Sequence, residues 1–108
     1  MEPTFFDLFA IDKQRIDAGK AYLEFLRVPA MSAGIYVIPP GGNDPQQPHR
    51  EDECYYVIRG RARMTAGKDT QVISTGSVIF VPAGIGHRFH DIENELTVLV
   101  VFAPAETP

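Results

Sequence analysis

Hydrophobic residues occur in short runs along most of the chain, and turns rich in glycine and proline separate these runs. Runs of roughly four to eight residues that alternate with polar residues, or that are apolar throughout, are typical of β-strands. The pattern predicts strands at residues 34–38, 54–58, 61–66, 70–74, 77–81, 87–90 and 96–102. The last run is almost entirely apolar, which indicates a strand buried on both faces. We therefore expect an all-β fold of short antiparallel strands joined by turns, including one at residues 59–60.

The two ends of the chain have weaker patterns. Residues 1–20 contain scattered apolar side chains that fit a short helical turn or an edge strand, so we expect an N-terminal arm or edge strand there. Residues 21–28 fit both the helical and the strand period. Residues 103–108 are expected to form a tail.

Length and composition limit the class of protein. The 108 residues, of which 44% are hydrophobic, suit a single globular domain that spans residues 1–108. A formal net charge of −4 argues against a nucleic-acid or acidic-membrane partner. The single cysteine, Cys54, excludes an intramolecular disulfide framework and fits a reducing cytoplasm. No segment has the pattern of a signal peptide or the length of a membrane span, so we expect a cytoplasmic protein.

Two histidines and a glutamate lie beside predicted strand ends: His49, Glu53 and His87. Two imidazoles and one carboxylate form the ligand set of open metal sites. Residues four apart on a straight strand are roughly 13 Å apart, whereas metal ligands must end roughly 2.0–2.2 Å from the ion. We therefore expect a tight turn at residues 50–52 that folds Glu53 back across a hairpin toward His49. A helical turn would also join them, but Pro48 and the β-prone residues 55–58 disfavour it.

The spacing of these residues resembles two motifs of the cupin superfamily, G-x5-H-x-H-x3,4-E-x6-G and G-x5-P-x-G-x2-H-x3-N. Residues at the first motif's intervals, within residues 41–60, are Gly41, Gln47, His49, Glu53 and Gly60. Residues at the second motif's intervals, within residues 76–91, are Gly76, Pro82, Gly84, His87 and Asp91. Eight of the ten carry the family's residue. The resemblance implies one small jelly-roll β-barrel.

The family's usual metal site has three histidines and a glutamate, and Gln47 stands at the first histidine position. An amide oxygen is a neutral ligand without an imidazole. The resemblance therefore implies that His49, Glu53 and His87 bind a divalent ion, with Gln47 as a weak fourth ligand. Iron, zinc, manganese and nickel all suit this set, and the sequence does not choose among them.

Cupins include dioxygenases, isomerases and plain binding proteins, so more than one function stays open. The first is a small-molecule enzyme of dioxygenase or isomerase type, and the second is a non-catalytic binding or sensing module. The third, a structural or interaction barrel without a ligand, is disfavoured by the retained set of two histidines and a glutamate. Single-barrel cupins commonly pair, and the apolar residues 5–16 need cover, so a homodimer is also expected.

Other residues are assigned to structure. We expect Glu51 to be solvated in the turn, His90 to point away from the site, and Arg59, Arg61 and Arg88 to be surface charges. The expected core includes Tyr55, Val57, Met64, Phe80 and Phe89.

Overall fold

The computed structural model describes residues 2–46 and 48–108, and this part of the chain forms one helix and six strands. The elements are α1 (Leu8–Ala18), β1 (Tyr22–Val28), β2 (Met31–Ile38), β3 (Asp52–Ala66), β4 (Asp69–Ser74), β5 (Val78–Val81) and β6 (His87–Ala103). The strands pair antiparallel in the order β1-β2-β6-β3-β4, and β5 pairs with β3. The prediction of an all-β, antiparallel domain is confirmed.

The N-terminal residues form a full α-helix instead of the expected arm or edge strand. Asp7 begins it, because its carboxylate accepts a hydrogen bond of 3.0 Å from the amide of Phe9. Gly19 ends it in the left-handed conformation, with φ at 66°. Residues 22–28 then adopt the strand alternative. No helix in the described ranges is long and apolar enough to cross a membrane.

Strand β3 is continuous where the sequence predicted two strands and a turn. Gly60 has φ at 109°, but the register with β6 shifts there and the chain does not reverse. Buried side chains lie at Tyr55 and Val57 before the shift, and at Ala62 and Met64 after it. Odd-numbered residues face inward before the shift and even-numbered residues face inward after it, which is the change that a β-bulge produces. The bulge thus keeps one face of a bent strand in the core.

Strand β6 also joins two predicted strands into one. Its inward face changes from odd-numbered Phe89 to even-numbered Ile92, and Asp91 between them has φ at 50°. The polar residues 93–95, which lie between the two predicted strands, are exposed members of β6. The two long bent strands give the sheet its curvature.

The predicted core residues are buried with one exception. Tyr55, Val57, Met64 and Phe89 are each at most 4% exposed. Phe80 is 63% exposed, so its assignment to the core was wrong. It alternates with Ile79 and Val81 on the short strand β5 and faces outward.

Gly60 is expected to be highly sensitive to substitution. A Cβ there would lie 2.5 Å from the Glu95 carbonyl oxygen and would add strain at positive φ. Gly60→Ala should therefore destabilise the protein by about 3 kcal/mol or more in chemical denaturation. Gly76→Ala is the matched control, because φ is 94° there but a Cβ would meet nothing within 4 Å. Equal losses for the two variants would contradict a role for close strand approach at Gly60.

Candidate metal centre

Two loops that are distant in sequence are bonded at one end of the sheet. The amide of Gly84 donates a 2.8 Å hydrogen bond to the carbonyl oxygen of His49. The amide of Ala83 donates a 2.9 Å hydrogen bond to the carboxylate of Asp52. The turn before β6 is thereby fixed against the segment before β3. This connection places His87, the first residue of β6, beside His49.

A bend rather than a hairpin brings His49 and Glu53 together. Residues 50–51 form the bend, β3 begins at Asp52, and no strand lies between β2 and β3 in the described residues. The predicted hairpin was therefore wrong, although the chain does turn where expected. Glu51 is buried rather than solvated, because its carboxylate accepts a 2.7 Å hydrogen bond from the hydroxyl of Thr107. The burial of Glu51 holds the bend against the C-terminal residues.

The predicted triad converges on one point. His49, Glu53 and His87 each offer a ligand atom, and these three atoms lie within 4.8 Å of one another. Glu53 Oε1 is 3.0 Å from His87 Nε2 and 3.7 Å from His49 Nε2. Two ligands bound about 2.1 Å from one ion are separated by roughly 3.0 Å at a right angle and more at wider angles. The spacing therefore fits a single ion.

The backbone fixes the proton of neutral His87 on the nitrogen that faces away from the triad. Nδ1 lies 2.9 Å from the carbonyl oxygen of Ile85, which can only accept a hydrogen bond. Nε2 of the neutral ring therefore carries a lone pair and faces Glu53 Oε1 at 3.0 Å. This buried oxygen accepts no well-directed hydrogen bond from the residues described. A positive charge between these two electron-rich atoms would stabilise the contact, and either a proton on Nε2 or a divalent metal ion could supply it.

Gln46 is a member of the site that the sequence analysis missed. Its Oε1 lies 3.1 Å from His49 Nε2, 3.2 Å from His87 Nε2 and 3.0 Å from the hydroxyl of Tyr55. The expected fourth ligand, Gln47, lies outside the described residues. Motif spacing selected position 47, and the only signal for its neighbour was that both residues are glutamines.

Asp44 sets the orientation of the Gln46 amide. Its buried Oδ2 accepts hydrogen bonds from Gln46 Nε2 at 2.7 Å and from the Phe89 amide at 2.8 Å. Its Oδ1 accepts one from the hydroxyl of Tyr36 at 2.7 Å. Because a carboxylate only accepts, the amide nitrogen of Gln46 must face Asp44 and its oxygen must face the histidines. The contacts of Asp44 thus hold the Gln46 amide oxygen toward the triad.

A cavity of about 240 Å³ opens beside the triad. Its wall includes three phenol rings, from Tyr22, Tyr36 and Tyr55, together with Phe102 and Glu106. Burial, followed by the charge of Glu53, raises the pKa of Tyr55, so its hydroxyl stays protonated. Burial raises the pKa of Tyr22 as well. These phenols are therefore hydrogen-bond donors in a largely aromatic pocket.

Residues expected outside the site do lie outside it. His90 Nε2 is 2.7 Å from the hydroxyl of Thr65, and its ring is not part of the cavity wall. Arg59 and Arg61 are exposed and pair with Asp12 and Glu93 respectively. Arg88 is exposed and Cys54 is a partly buried free thiol.

Comparisons with known proteins agree with this architecture. The sequence profile of the cupin domain matches residues 34–103, which include all three members of the triad. An uncharacterized protein of Streptomyces coelicolor is 46% identical over 102 residues, covering 94% of this chain and 97% of that protein.

Solved structures show the same fold. BH2720 from Bacillus halodurans superimposes with a TM-score of 0.81 at 16% identity, covering 99% of this chain and 85% of that one. The DMSP lyase DddQ from Ruegeria pomeroyi gives a TM-score of 0.69 at 19% identity, covering 81% and 49% respectively. At such identities the likeness establishes the jelly-roll fold alone.

Proposed function

This chain belongs to the cupin domain family, and we propose that it is a metal-dependent enzyme of dioxygenase or isomerase type that acts on a small molecule. His49, Glu53 and His87 would hold a divalent ion, iron, zinc, manganese or nickel. Gln46 would add its amide oxygen as a fourth ligand. The observation that carries the proposal is the 3.0 Å approach of His87 Nε2 to the buried Glu53 Oε1.

The bound ion would supply a Lewis acid that polarises an oxygen of the substrate or activates dioxygen. The chain's own residues do the remaining work. Ile85 holds the proton of His87 away from the ion, and Asp44 holds the amide oxygen of Gln46 toward it. Tyr55, 3.0 Å from His87 Nε2, offers a hydroxyl donor at the edge of the centre. Such fixed groups orient a substrate before reaction.

The cavity favours a small substrate without strong negative charge. Its volume of about 240 Å³ leaves room for only a small molecule. The described residues that line it include the carboxylates Glu53 and Glu106 but no lysine or arginine. A multiply charged anion would meet these carboxylates without a compensating side chain. The likeness to a DMSP lyase supports a small-molecule substrate only as far as a shared fold can.

A non-catalytic binding or sensing module is the second candidate, and the position of Gln46 favours it. Its Oε1 lies within hydrogen-bond distance of both ring nitrogens that would bind the ion. Gln46 would thus fill a position at the ion that a catalytic metal site leaves open for its substrate. In this case the ion or the cavity would serve to bind a small ligand that the protein reports or carries.

Elemental analysis of protein purified without a histidine tag tests the shared premise. We expect about one divalent ion per chain, and its absence after supplementation with each candidate metal would overturn both functions. Oxygen consumption and product formation on a panel of small metabolites then separate the two. Binding without turnover across the panel would favour the sensing module.

The affinity for metal should fall with acidity. Burial disfavours the charged form of His87, but the Glu53 carboxylate and the Ile85 carbonyl outweigh it, so the pKa of His87 lies above its ordinary value of 6.5. Metal binding needs this ring neutral, and below its pKa each displaced proton weakens affinity about tenfold per pH unit. Chelator competition with Zn²⁺ should therefore show a steep loss as the pH falls from about 7 to about 5.

The same shift gives a separate check in the metal-free protein. A histidine whose pKa is higher in the folded state than in the unfolded state stabilises the fold. This stabilisation is complete below the pKa of the unfolded state and is lost as the pH rises through the pKa of the folded state. Unfolding in a chelator should thus lose the contribution of His87 above neutral pH, while added Zn²⁺ stabilises more there. A zinc-induced shift in Tm that does not grow from pH 6 to pH 8 would contradict this linkage.

We also propose a cytoplasmic homodimer that covers the N-terminal apolar surface. Phe5, Phe9 and Ile16 are 97%, 81% and 60% exposed in the single chain. Burying such side chains against a second copy would be favourable. Light scattering at micromolar concentration should give twice the chain mass, and Phe9→Ser should shift it toward the monomer. Phe80→Ser, at an exposed residue elsewhere, is the control; a monomeric wild-type protein would contradict the proposal.

A further inference from the structure

The last residues of the chain form a strap across the cavity rather than a free tail. Hydrogen bonds hold this C-terminal strap, residues 104–107, on both sides of the Glu106 side chain. Arg27 Nη2 donates a 2.7 Å hydrogen bond to the Glu106 carbonyl oxygen, and the Glu106 amide donates one of 2.9 Å to Ser32 Oγ. The Thr107 hydroxyl donates one of 2.7 Å to Glu51. These contacts fix the backbone on both sides of the Glu106 side chain.

The strap places a carboxylate on the outer side of His49. Glu106 Oε2 lies 3.5 Å from His49 Nδ1, while the opposite nitrogen, Nε2, faces the triad. Glu106 also lines the cavity. The cupin domain match ends at residue 103, so this carboxylate lies beyond the part of the chain that the family pattern describes.

The proton of neutral His49 has an acceptor beside either ring nitrogen. The Gln46 amide oxygen lies 3.1 Å from Nε2 and the Glu106 carboxylate lies 3.5 Å from Nδ1, and both oxygens can accept a hydrogen bond. Metal binding requires a lone pair on Nε2, and the neutral ring must then carry its proton on Nδ1. His87 has this tautomer already, because the Ile85 carbonyl accepts from its Nδ1. For His49 the available acceptor is the carboxylate of Glu106.

We propose that Glu106 is a positioning residue, which accepts the Nδ1 proton of His49 and thereby holds Nε2 ready to bind the metal. The inference rests on the proposed metal centre. At 3.5 Å the contact is longer than a formed hydrogen bond. It shortens when the proton moves to Nδ1, because the carboxylate then faces a donor. Outer partners of this kind typically contribute about 10- to 100-fold to metal affinity.

Chelator competition with Zn²⁺ at constant pH tests the role of Glu106. Glu106→Ala should weaken zinc binding about 10-fold or more. Glu106→Gln keeps an oxygen acceptor near Nδ1 and should recover part of the loss. The control is Glu93→Ala, which removes the same charge from an exposed side chain paired with Arg61, and it should bind zinc as the wild type does. Zinc binding by Glu106→Ala within about twofold of wild type would overturn the inference.

Nitrogen-15 NMR of the histidines gives a readout that a merely structural role would not move. The chain has three histidines, which keeps the spectrum assignable. In the zinc-loaded wild type, His49 should show a protected proton on Nδ1, and Glu106→Ala should lose that protection while His87 keeps its own. A protected His49 Nδ1 proton in Glu106→Ala would overturn the inference.

A second variant covers the case in which Glu106→Ala fails to fold. Arg27→Met removes an anchor of the strap at an exposed side chain and leaves Glu106 in place. Arg27→Met should weaken zinc binding, but less than Glu106→Ala does. Unchanged zinc affinity in both Arg27→Met and Glu106→Gln would contradict a role for the strap in metal binding. If the wild type itself binds no metal, the proposed function fails and the inference fails with it. If the wild type binds metal and the strap variants bind it equally well, the inference about Glu106 is overturned and the proposed function is not.

Discussion

His87→Ala and His49→Ala should each abolish measurable binding of a divalent ion at micromolar protein. Each substitution removes one of three atoms that lie within 4.8 Å of one another and leaves two protein ligands around the ion. The loss should exceed about 100-fold, which is the upper range for outer partners that only orient ligands. Glu53→Gln should weaken binding as severely, because it removes the only formal charge among the three. Chelator competition and metal content after dialysis are the measurements.

His90→Ala is the matched control for these substitutions. This third histidine lies on the same strand as His87, but it contacts the hydroxyl of Thr65 and does not line the cavity. Its removal should leave metal affinity unchanged within about twofold. Metal retention by His87→Ala, or an equal loss in His90→Ala, would show that the ion binds elsewhere. Unfolding curves of the metal-free variants separate ligand loss from misfolding.

The triad was predictable because its geometry follows from the spacing of short motifs. Glu53 and His87 lie at the starts of β3 and β6, and His49 lies three residues before β3 begins. The hairpin inferred between His49 and Glu53 was wrong in form, yet the bend at residues 50–51 has the same consequence for Glu53. A bend can replace a hairpin and still preserve the site, because the ligand-bearing residues keep their positions on either side of the turn.

The continuity of β3 and β6 was not predictable from residue type. A glycine at positive φ serves a hairpin turn or a bulge equally well, and Gly60 serves a bulge. What decides between them is the partner strand, and the Glu95 carbonyl lies too close for any side chain at Gly60. The helix α1 was missed for a different reason. Its Asp7 and Gly19 ends are ordinary capping residues, but it buries only Ile11 and so lacks an apolar period.

The outer parts of the site depend on contacts between residues far apart in sequence. Asp44 orients Gln46 because it also accepts from the amide of Phe89, 45 positions away. Glu106 reaches His49 because the strap is tied to Ser32. No local pattern encodes such contacts. They appear only when the sheet brings distant parts of the chain together, and they hold the Gln46 amide oxygen toward the triad.

Gln46→Ala should weaken metal binding more than Gln47→Ala does. The Gln46 amide oxygen lies 3.1 Å and 3.2 Å from the two ring nitrogens of the triad. It is therefore already positioned among the atoms that would surround the ion. A neutral oxygen is a weaker ligand than an imidazole, so we expect about a 10-fold loss for Gln46→Ala. For Gln47→Ala we expect less than about a threefold loss. Isothermal titration with Zn²⁺ measures both.

Asp44→Ala makes the comparison sharper, because it frees the orientation of Gln46 without removing it. The Asp44 carboxylate accepts from Gln46 Nε2 and so holds the amide nitrogen away from the histidines, and without this acceptor the Gln46 amide can rotate. Metal affinity should fall toward that of Gln46→Ala, and the double variant Asp44→Ala with Gln46→Ala should be no weaker than Gln46→Ala alone. Additive losses would mean that Asp44 acts on the centre by another route. A larger loss for Gln47→Ala than for Gln46→Ala would return the fourth ligand to position 47, where the family motif places it.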